Sequence, residues 1–475
     1  MKKHLKNDFE IVKSAVDQLV DFIKPTFGPS ENRIVISDDY KYSALDDGVS
    51  IAKDFELENE FENAIIKLVK EASQKTNDRV GDGTTGSLII LQELLNNPSK
   101  DLKDAVSEAK EQLLKMVKKV ETKEELKNVA LVSYNNPEIA KVVSDIVFKV
   151  GPDGVITVEE GNGLETTSEV VNGLRFERGF VSPYMISDFE RMETILVKPY
   201  VVISNSKITT AQEIMPILEK IMKSGRKDFL IISEEIEGEA LALLIVNKIK
   251  GVFNAVAVKA PGFGDHTELL EDIAILTDGQ VISEEKGLKL SSVGLDLLGE
   301  ADKVVINKDS TTIIGGKGNV EKRIEHLKSQ LEKIESEYEK GKLQERIAKL
   351  SGGIAVIKVG APTESAMKTL KYKVEDSVNA TKLAFKSGVV KGAGQALLEI
   401  KTSNESLNDA LKAPARVLKE NIEGSKKTFN PDESIVDPVE VLIAAIESAA
   451  SIASLLISTK GIIVEVKEKL QNENN

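Results

Sequence analysis

The pattern of apolar and polar positions changes character along the chain. Residues 8–24 carry apolar side chains at a period of about 3.6 residues, which predicts an amphipathic helix. Similar patterns predict helices at 58–75 and over most of 101–150, and the last hundred residues are again helical. Two short β-branched runs, at 33–37 and 49–52, predict strands between the first helices.

The middle of the chain alternates between strand and helix patterns. Strand-like runs lie at 200–204, 229–233, 255–258, 281–283 and 304–307, and helical patterns lie at 211–223 and 237–250. This order predicts an α/β layer. A strand is also predicted at 354–359. Because helical patterns flank this mixed region on both sides, we expect one domain built from both chain ends, with another inserted between them.

Two apolar segments have more than one interpretation. Residues 319–350 predict a helical hairpin broken at Gly341, which either offers a coiled-coil partner site or packs on its own domain, the favoured reading. Residues 439–458 are long enough to span a membrane. They carry Glu440 and Glu447 and are rich in Ala and Ser, which favours a buried helix instead.

Composition narrows the possible chemistry. The 475-residue chain has 63 Lys plus Arg and 77 Asp plus Glu, a net charge of −14, which disfavours nucleic-acid and anionic-membrane partners. There is no cysteine, and no two of the three histidines stand at metal-ligand spacing. Any catalysis must therefore use carboxylates, hydroxyls, backbone amides, lysine or a borrowed metal. The first residues lack the apolar core of a secretory signal, so we expect a cytoplasmic protein.

The most informative stretch is 81–87, Gly-Asp-Gly-Thr-Thr-Gly-Ser. A dinucleotide fingerprint would follow a strand, whereas this stretch follows the polar segment 73–79 and a helix; a P-loop would need lysine in place of Ser87. The glycines allow close backbone approach, and a helix start at the two threonines favours phosphate. Asp82 then indicates a bridging Mg²⁺. A glycine-rich turn capped by Asp or Thr is an equally open alternative.

Three other elements have ordinary structural interpretations when taken singly. Residues 26–29, Thr-Phe-Gly-Pro, are typical of a helix stop. Residues 46–50 are typical of an acidic surface turn before a strand. Asp376 lies within a helical pattern, where most carboxylates are simply solvated.

These elements occur together in the order found in one known family. The motifs are at 26–29, 47–50, 82–85, 154–159, 178–184, 237–241, 258–265, 304–309, 342–346 and 355–360. Together they resemble a group I chaperonin, the GroEL-like ATP-driven protein-folding machine, in a divergent and shortened form.

The resemblance implies a multidomain α/β subunit of three nested domains with a largely helical equatorial part. The equatorial ATPase domain would be 1–117 plus 388–475. The intermediate hinge domain would be 118–172 plus 355–387, and the apical domain, which binds clients and a co-chaperonin, would be 173–354.

The resemblance also implies a set of nucleotide residues. Asp47 and Asp376 would position and activate the attacking water, with Asp376 brought to the nucleotide by hinge closure. Asp82 would hold Mg²⁺. The implied nucleotide-binding residues are Thr26, Phe27, Gly28, Pro29, Asp82, Gly83, Thr84, Thr85, Gly86, Ser133, Gly392, Ala393 and Asp437. The implied cofactors are ATP and Mg²⁺, with K⁺ as a further candidate.

Non-native client proteins and the mobile loop of a GroES-like co-chaperonin would share an apolar apical groove. The implied contacts are Phe180, Tyr184, Met215, Leu218, Leu241, Ile245 and Val246. Leu243 and Leu244 are expected in the core instead. The subunits would form a seven-fold homo-oligomeric ring.

The chain departs from the family pattern at several positions. Asp46 replaces a usual lysine and bears on the K⁺ contact, Ala393 replaces a glycine, and Gly86 replaces a threonine. The hairpin between Gly424 and Pro438 is shortened and lacks the segment that packs on adenine, and a second deletion falls near 96–101. We expect an active but divergent ATPase. The alternatives are a passive protein-binding ring that has lost coupled hydrolysis and, with little support, an unrelated nucleotide-dependent metabolic enzyme.

Overall fold

The computed structural model describes residues 2–6, 9–28, 32–38, 41–45, 48–161, 163–189, 191–262, 267–334, 336–424 and 435–465. The helices are α1 (Phe9–Ile23), α2 (Gly48–Asp54), α3 (Glu60–Val80), α4 (Thr84–Asn96), α5 (Leu102–Lys115), α6 (Lys123–Ser133), α7 (Pro137–Val150), α8 (Ala211–Lys223), α9 (Gly238–Ile249), α10 (Thr267–Thr277), α11 (Val320–Leu331), α12 (Glu337–Gly352), α13 (Glu364–Ser387), α14 (Gln395–Glu399), α15 (Glu405–Ala410), α16 (Ala413–Gly424) and α17 (Val439–Ser458).

The strands are β1 (Lys2–Lys6), β2 (Ile34–Asp38), β3 (Lys41–Leu45), β4 (Val155–Glu160), β5 (Thr167–Val171), β6 (Gly173–Phe176), β7 (Thr194–Val197), β8 (Tyr200–Ser204), β9 (Lys207–Ile208), β10 (Asp228–Ser233), β11 (Glu235–Ile236), β12 (Asn254–Lys259), β13 (Val281–Ile282), β14 (Gly299–Glu300), β15 (Lys303–Ile306), β16 (Thr311–Ile314), β17 (Ile354–Val359), β18 (Val389–Lys391), β19 (Val436–Pro438) and β20 (Gly461–Glu465).

The chain forms two compact units. Unit 1 comprises Met1–Asp153, Val158–Ser168 and Ile357–Asn475, and unit 2 comprises Gly154–Thr157 and Glu169–Val356. Unit 1 is therefore built from both ends of the chain, with unit 2 inserted. Unit 1 contains both the segments predicted as equatorial and most of those predicted as intermediate, and the finer division between them stays a prediction.

Helices make the core of unit 1. The central helix is α17, which packs against α3, α4, α5 and α13, while α1 packs against α3 and α4. Alanines such as Ala449 and Ala453 are fully buried on α17 and let the neighbouring helices approach closely. Within the described ranges, α17 is the one helix long and apolar enough to cross a membrane, and 56% of that stretch is buried inside the protein. This packing fits the buried-helix interpretation.

Unit 2 is built on a parallel sheet of order β12-β10-β8-β13, to which β14 adds an antiparallel partner of β8. The register pairs Leu230 of β10 with Val201 of β8 and Val256 of β12, and all three side chains are buried. A second, antiparallel sheet of unit 2 has order β6-β16-β15-β7. Strands buried on both faces read as continuous apolar runs, which explains why the sequence pattern located them.

A buried ion cluster ties three helices of unit 2 together. Asp272 of α10 is 2% exposed and accepts two hydrogen bonds from Arg346 of α12, at 2.7 Å from Nε and 3.0 Å from Nη2. Arg323 of α11 donates through Nε to the same carboxylate at 2.8 Å. Asp272 is therefore a polar centre for the α10–α12 layer, because the buried Arg346 and the half-buried Arg323 both bind it.

The structure corrects two sequence predictions. Residues 49–52 lie in helix α2 rather than in a strand, because Ile51 and Ala52 are both buried in the helical core of unit 1 and that packing outweighs β-propensity. The break in the hairpin falls before Ser336, whose hydroxyl accepts from the Glu339 amide as an N-cap, and Gly341 lies inside α12. The hairpin packs on its own unit, with Leu327 and Leu343 buried.

Candidate functional site

The loop between α3 and α4 has a backbone that suits glycine. Gly81 and Gly83 have φ values of 66° and 81°, in the left-handed region. Gly83 is the N-cap of α4, and its amide donates to Asp82 Oδ1 at 2.5 Å. The first amides of α4 therefore begin directly at this loop, where an anion is favoured. The polar segment 73–79 continues α3, so the loop links two helices.

The same loop is packed so closely that a side chain would not fit at its glycines. A Cβ atom on Gly81 would lie 2.5–2.9 Å from the side chain of Asn379, and one on Gly83 would lie 2.6 Å from Val441 Cγ1. Asn379 belongs to α13 and Val441 to α17. Helices α4, α13 and α17 thus meet at the loop. They can approach this closely because positions 81 and 83 carry no side chain.

Helix α13 also carries Asp376 to this place. Asp376 and Asn379 stand three residues apart, so they share one face of the helix. Beside Asp376, the Ser377 hydroxyl donates to the Ala130 carbonyl of α6 at 3.4 Å. Helix α6 ends at Ser133, which is half-buried. Asp376 therefore lies one helical turn from Asn379, the residue that packs on Gly81. Ser133, a second implied residue, is the last residue of α6, which packs on α13.

The turn after α1 is held by its own backbone and by α16. The Phe27 amide donates to the Lys24 carbonyl at 3.0 Å, and the Thr26 hydroxyl donates to the Ile23 carbonyl at 2.8 Å. The side-chain amide of Asn421 donates to the carbonyls of Lys24 and Phe27, at 2.7 and 2.9 Å. These bonds from Asn421 hold the turn at residues 24–28, which the resemblance implies for phosphate binding, against α16.

Further close approaches join this turn and α2 to helix α4. A Cβ atom on Gly48, the first residue of α2, would lie 2.2 Å from Thr85 Oγ1. A Cβ atom on Gly86 would lie 4.0 Å from the ring of Phe27. The structure therefore brings the segments around residues 27, 48 and 85 together. Pro29 and Asp47, both implied site residues, lie outside the described residues, as does Asp46.

The β18–β19 ribbon packs beside the same helices, since β19 contacts α6, α13 and α17. Asp437 pairs with Val390 across the ribbon, and the Gly392 amide donates to the Ile435 carbonyl at 2.8 Å. Burial, followed by the negative charge of Asp82, raises the pKa of Asp437 to about 7. The repulsion indicates that the carboxyl groups of Asp437 and Asp82 lie near each other. Ala393 has a φ of 54°, so the methyl group that replaces the family glycine sits on a left-handed backbone. Residues 425–434, the shortened hairpin, lie outside the described residues.

One hydroxyl at the start of α4 is buried without a partner. Thr84 is 4% exposed, and its Oγ1 makes no hydrogen bond within the described residues. A buried, unsatisfied hydroxyl is costly unless a ligand completes it. Together with the glycine cradle, the helix start and the Asp82 carboxylate, this orphaned donor fits a phosphate with an associated Mg²⁺.

The implied client residues of unit 2 divide by exposure. Tyr184, Met215 and Val246 are 68%, 43% and 46% exposed. Phe180, Leu241 and Ile245 are half-buried and pack partly on the core. Leu218 is 6% exposed, so it belongs to the core of unit 2 and adds little to the accessible surface. Of the two expected core leucines, Leu244 is fully buried and Leu243 is half-buried.

Sequence reasoning missed the residues that support this site. Asn421, Val441 and Leu418, the last placed 2.2 Å from a Cβ atom on Gly28, carry no motif signal, because their role is set by packing between distant segments. Asn379 could have been found, because its three-residue spacing from Asp376 puts it on the same helical face.

Comparison with protein families gives one match. Residues 19–415 match the TCP-1/cpn60 chaperonin family. The match covers well over half of the chain and includes the 81–86 loop, Asp376, Ala393 and the whole of unit 2.

Proposed function

Because the chain belongs to the TCP-1/cpn60 chaperonin family, we propose that it is an ATP-dependent chaperonin of the group I type. Members of the family bind client proteins, form oligomeric rings and are typically ATPases that support protein folding. In this chain, Mg-ATP hydrolysis would promote the folding of captured non-native proteins in a ring cavity. The observation that carries the proposal is the meeting of the 24–28 turn, the 81–86 loop, α13 and Asp437 in unit 1.

The residues around the loop have distinct proposed roles. The amides at the start of α4 and the hydroxyls of Thr84 and Thr85 bind phosphate oxygens. The turn at Thr26–Gly28, fixed by Asn421, supplies further backbone contacts. Asp437, which lies near Asp82, is proposed as the acidic residue near the ribose.

Asp82 is the proposed ligand of Mg²⁺, which when bound neutralises phosphate charge in phosphoryl transfer. Asp376, on the α13 face that packs on Gly81, is the proposed base that orients and deprotonates the attacking water. Asp47 is proposed as a second carboxylate that positions the same water. We also propose a K⁺ contact, near which Asp46 adds a negative charge in place of the usual lysine.

Unit 2 is the proposed client-binding apical domain. Its exposed apolar side chains, among them Tyr184, Met215 and Val246, would capture apolar segments that folded proteins hide. The same surface is proposed to dock a GroES-like co-chaperonin, and the subunits are proposed to form seven-fold rings. We also propose that unit 1 contains separate equatorial and intermediate domains, and that the protein is cytoplasmic.

The test compares steady-state ATP turnover of the purified chain with that of Asp376→Ala, in the presence of Mg²⁺ and K⁺. Loss of a general base typically lowers turnover by about 10²–10⁴-fold, whereas Glu375→Ala, the neighbouring control, should stay within about twofold of the parent. An equally inert parent and variant that still form rings and capture unfolded protein would support the passive-ring alternative instead.

A further inference from the structure

Unit 2 contains an apolar cavity that the implied client contacts do not account for. It has a volume of about 660 Å³ and lies beside the C-terminal end of α9. Its exposed rim includes Phe189, Met192 and Ile249, which are 73%, 52% and 67% exposed, together with Tyr184. Phe253, 6% exposed, belongs to the lining and packs against Phe229 of the core, with ring centroids 5.0 Å apart. Among the rim residues, only Tyr184 belongs to the implied groove.

Backbone hydrogen bonds flank two of the rim residues, Phe189 and Met192. Asp188 and Glu193 exchange backbone hydrogen bonds, at 2.9 and 3.1 Å. The Arg191 amide donates to Asp188 Oδ1 at 3.0 Å, and Met192 has a φ of 54°, in the left-handed region. A non-glycine residue in that region persists only where its surroundings hold it. Phe189 and Met192 therefore stand beside residues whose backbones are hydrogen-bonded to each other.

The lining also carries an ammonium group in an unusual setting. Lys248 is half-buried, and its Nζ donates to Asn254 Oδ1 at 2.5 Å. Asn254 is itself anchored, because its Nδ2 donates to the Ile195 carbonyl at 3.4 Å. Burial lowers the pKa of Lys248 to about 8, against the opposing pull of Asp228.

The groups that line the cavity itself carry more positive than negative charge, Lys227 and Lys248 against Asp228. The Asp228 carboxylate already accepts from the Val197 amide, at 2.7 Å. Lys227 is a second lysine of the lining, so lysines outnumber carboxylates there. A lysine ammonium has three donors, and a neutral amide oxygen compensates its burial only in part.

We propose that this cavity binds an extended client segment in which a large apolar side chain stands next to a carboxylate. The apolar side chain enters between Phe189, Met192 and Ile249, and the carboxylate accepts from Lys248. The inference rests on the proposed client-binding function and adds a preference to it: an aromatic–acidic pair is selected over an aromatic–neutral one. Val246, one turn before Ile249 on α9, connects the cavity with the implied groove.

The test uses two fluorescent peptides that differ at one position, a central Phe-Asp pair and its isosteric Phe-Asn twin. Fluorescence anisotropy measures the dissociation constant of each with the full chain, without nucleotide. We expect about tenfold tighter binding of the Phe-Asp peptide, since charge-assisted hydrogen bonds in a desolvated site have that strength.

Three variants test which side chains cause the preference for the Phe-Asp peptide. Lys248→Met keeps the length and removes the charge, so the two peptides should bind within about twofold of each other. Lys250→Met, an exposed lysine at the same helix end, should keep the full preference. Phe189→Ser should weaken both peptides about equally, by roughly three- to tenfold, because it removes apolar area and no charge.

Equal binding of the two peptides by the parent chain, or no binding of either, would overturn the inference. A preference that survives in Lys248→Met would overturn it too. Capture of a chemically unfolded protein, measured on the same samples, distinguishes failure of this inference from failure of the proposed function. A chain that captures unfolded protein without the peptide preference contradicts only this inference. A chain that captures no unfolded protein contradicts the proposed function itself.

Discussion

The loop cluster of unit 1 and the apolar surface of unit 2 are built in opposite ways. Around Gly83, backbone and side chains approach so closely that one added methyl group would meet Val441 at 2.6 Å. On unit 2, by contrast, Tyr184 and Phe189 are 68% and 73% exposed. A phosphate site needs fixed donors in one geometry, whereas a surface for varied non-native chains needs exposed apolar area that can adapt.

This difference predicts how each region responds to substitution. Changes of one atom should matter at the loop cluster, because geometry carries the function there. On the apolar surface, removal of one side chain should change the capture of a whole unfolded client little, because such a client contacts many side chains at once, unlike a short peptide. The following substitutions go from the largest expected effect to the smallest: the first tests the core that supports unit 2, and the other two test the contrast itself.

The largest effect on stability should come from the polar centre of unit 2, away from its apolar surface. Asp272→Asn removes the buried charge that Arg346 and Arg323 share and leaves them only the more exposed Glu268 and Glu271, so the loss should approach the roughly 3–5 kcal/mol of a broken buried pair. Native-state hydrogen exchange of the β10 amides measures the loss. Glu300→Gln, which breaks the partly exposed pair with Arg226, should cost under about 1 kcal/mol. Equal protection in both variants would mean that Asp272 does not hold the layer together.

A hydroxyl-to-methyl change at the loop should have opposite effects on stability and binding. Thr84→Val removes a buried hydroxyl that lacks a partner, so the nucleotide-free protein should gain up to about 1 kcal/mol. ATP affinity, measured by calorimetry, should fall by about tenfold, because a phosphate contact is lost. In the control Thr277→Val, a satisfied hydroxyl is removed, so stability should fall and ATP affinity should not change. Unchanged ATP affinity in Thr84→Val would remove this residue from the site.

The smallest effect should come from a single change on the apolar surface. Val246 is 46% exposed, and replacing it with serine removes well under the roughly 1.5–3 kcal/mol of a fully buried side chain. Capture of an unfolded client, measured by light scattering, should weaken by less than about threefold. A loss of tenfold or more would show that the surface depends on individual contacts, as the loop cluster does.

The sequence was most informative where a pattern is local. Apolar patterns located α1, α8, α9 and α17 and the strands β8, β10 and β12 to within a residue or two: the helices by a helical period or a long apolar stretch, and the buried strands by short continuous apolar runs. It failed at α2, where packing of Ile51 overrides strand propensity, and at the hairpin break, where the cap of Ser336 decides.

For the candidate site, motif order identified the loop, the 26–28 turn and Asp376, but not the residues that hold them in place. Asn421 reaches across almost 400 positions of the chain to bind the carbonyls of Lys24 and Phe27. The raised pKa of Asp437 likewise depends on burial and on Asp82, which no local pattern contains. Such contacts arise only when the two ends of the chain fold together.

The central claim is that the close-packed loop of unit 1 is the site of ATP hydrolysis, and one matched pair of variants tests it most directly. Gly83 and Gly287 have similar left-handed backbones, with φ and ψ of 81° and 6° against 72° and 13°. A Cβ atom on Gly83 would meet Val441, whereas one on Gly287 in unit 2 meets nothing within 4 Å. Both alanine variants carry the same backbone strain of about 1 kcal/mol.

Steady-state ATP turnover of the two variants is the measurement. We expect Gly83→Ala to lose at least about tenfold, because the loop must shift from Val441 and carry the start of α4 with it. Gly287→Ala should turn over ATP at the parental rate. Equal turnover by both variants would contradict the assignment of the loop as the catalytic centre.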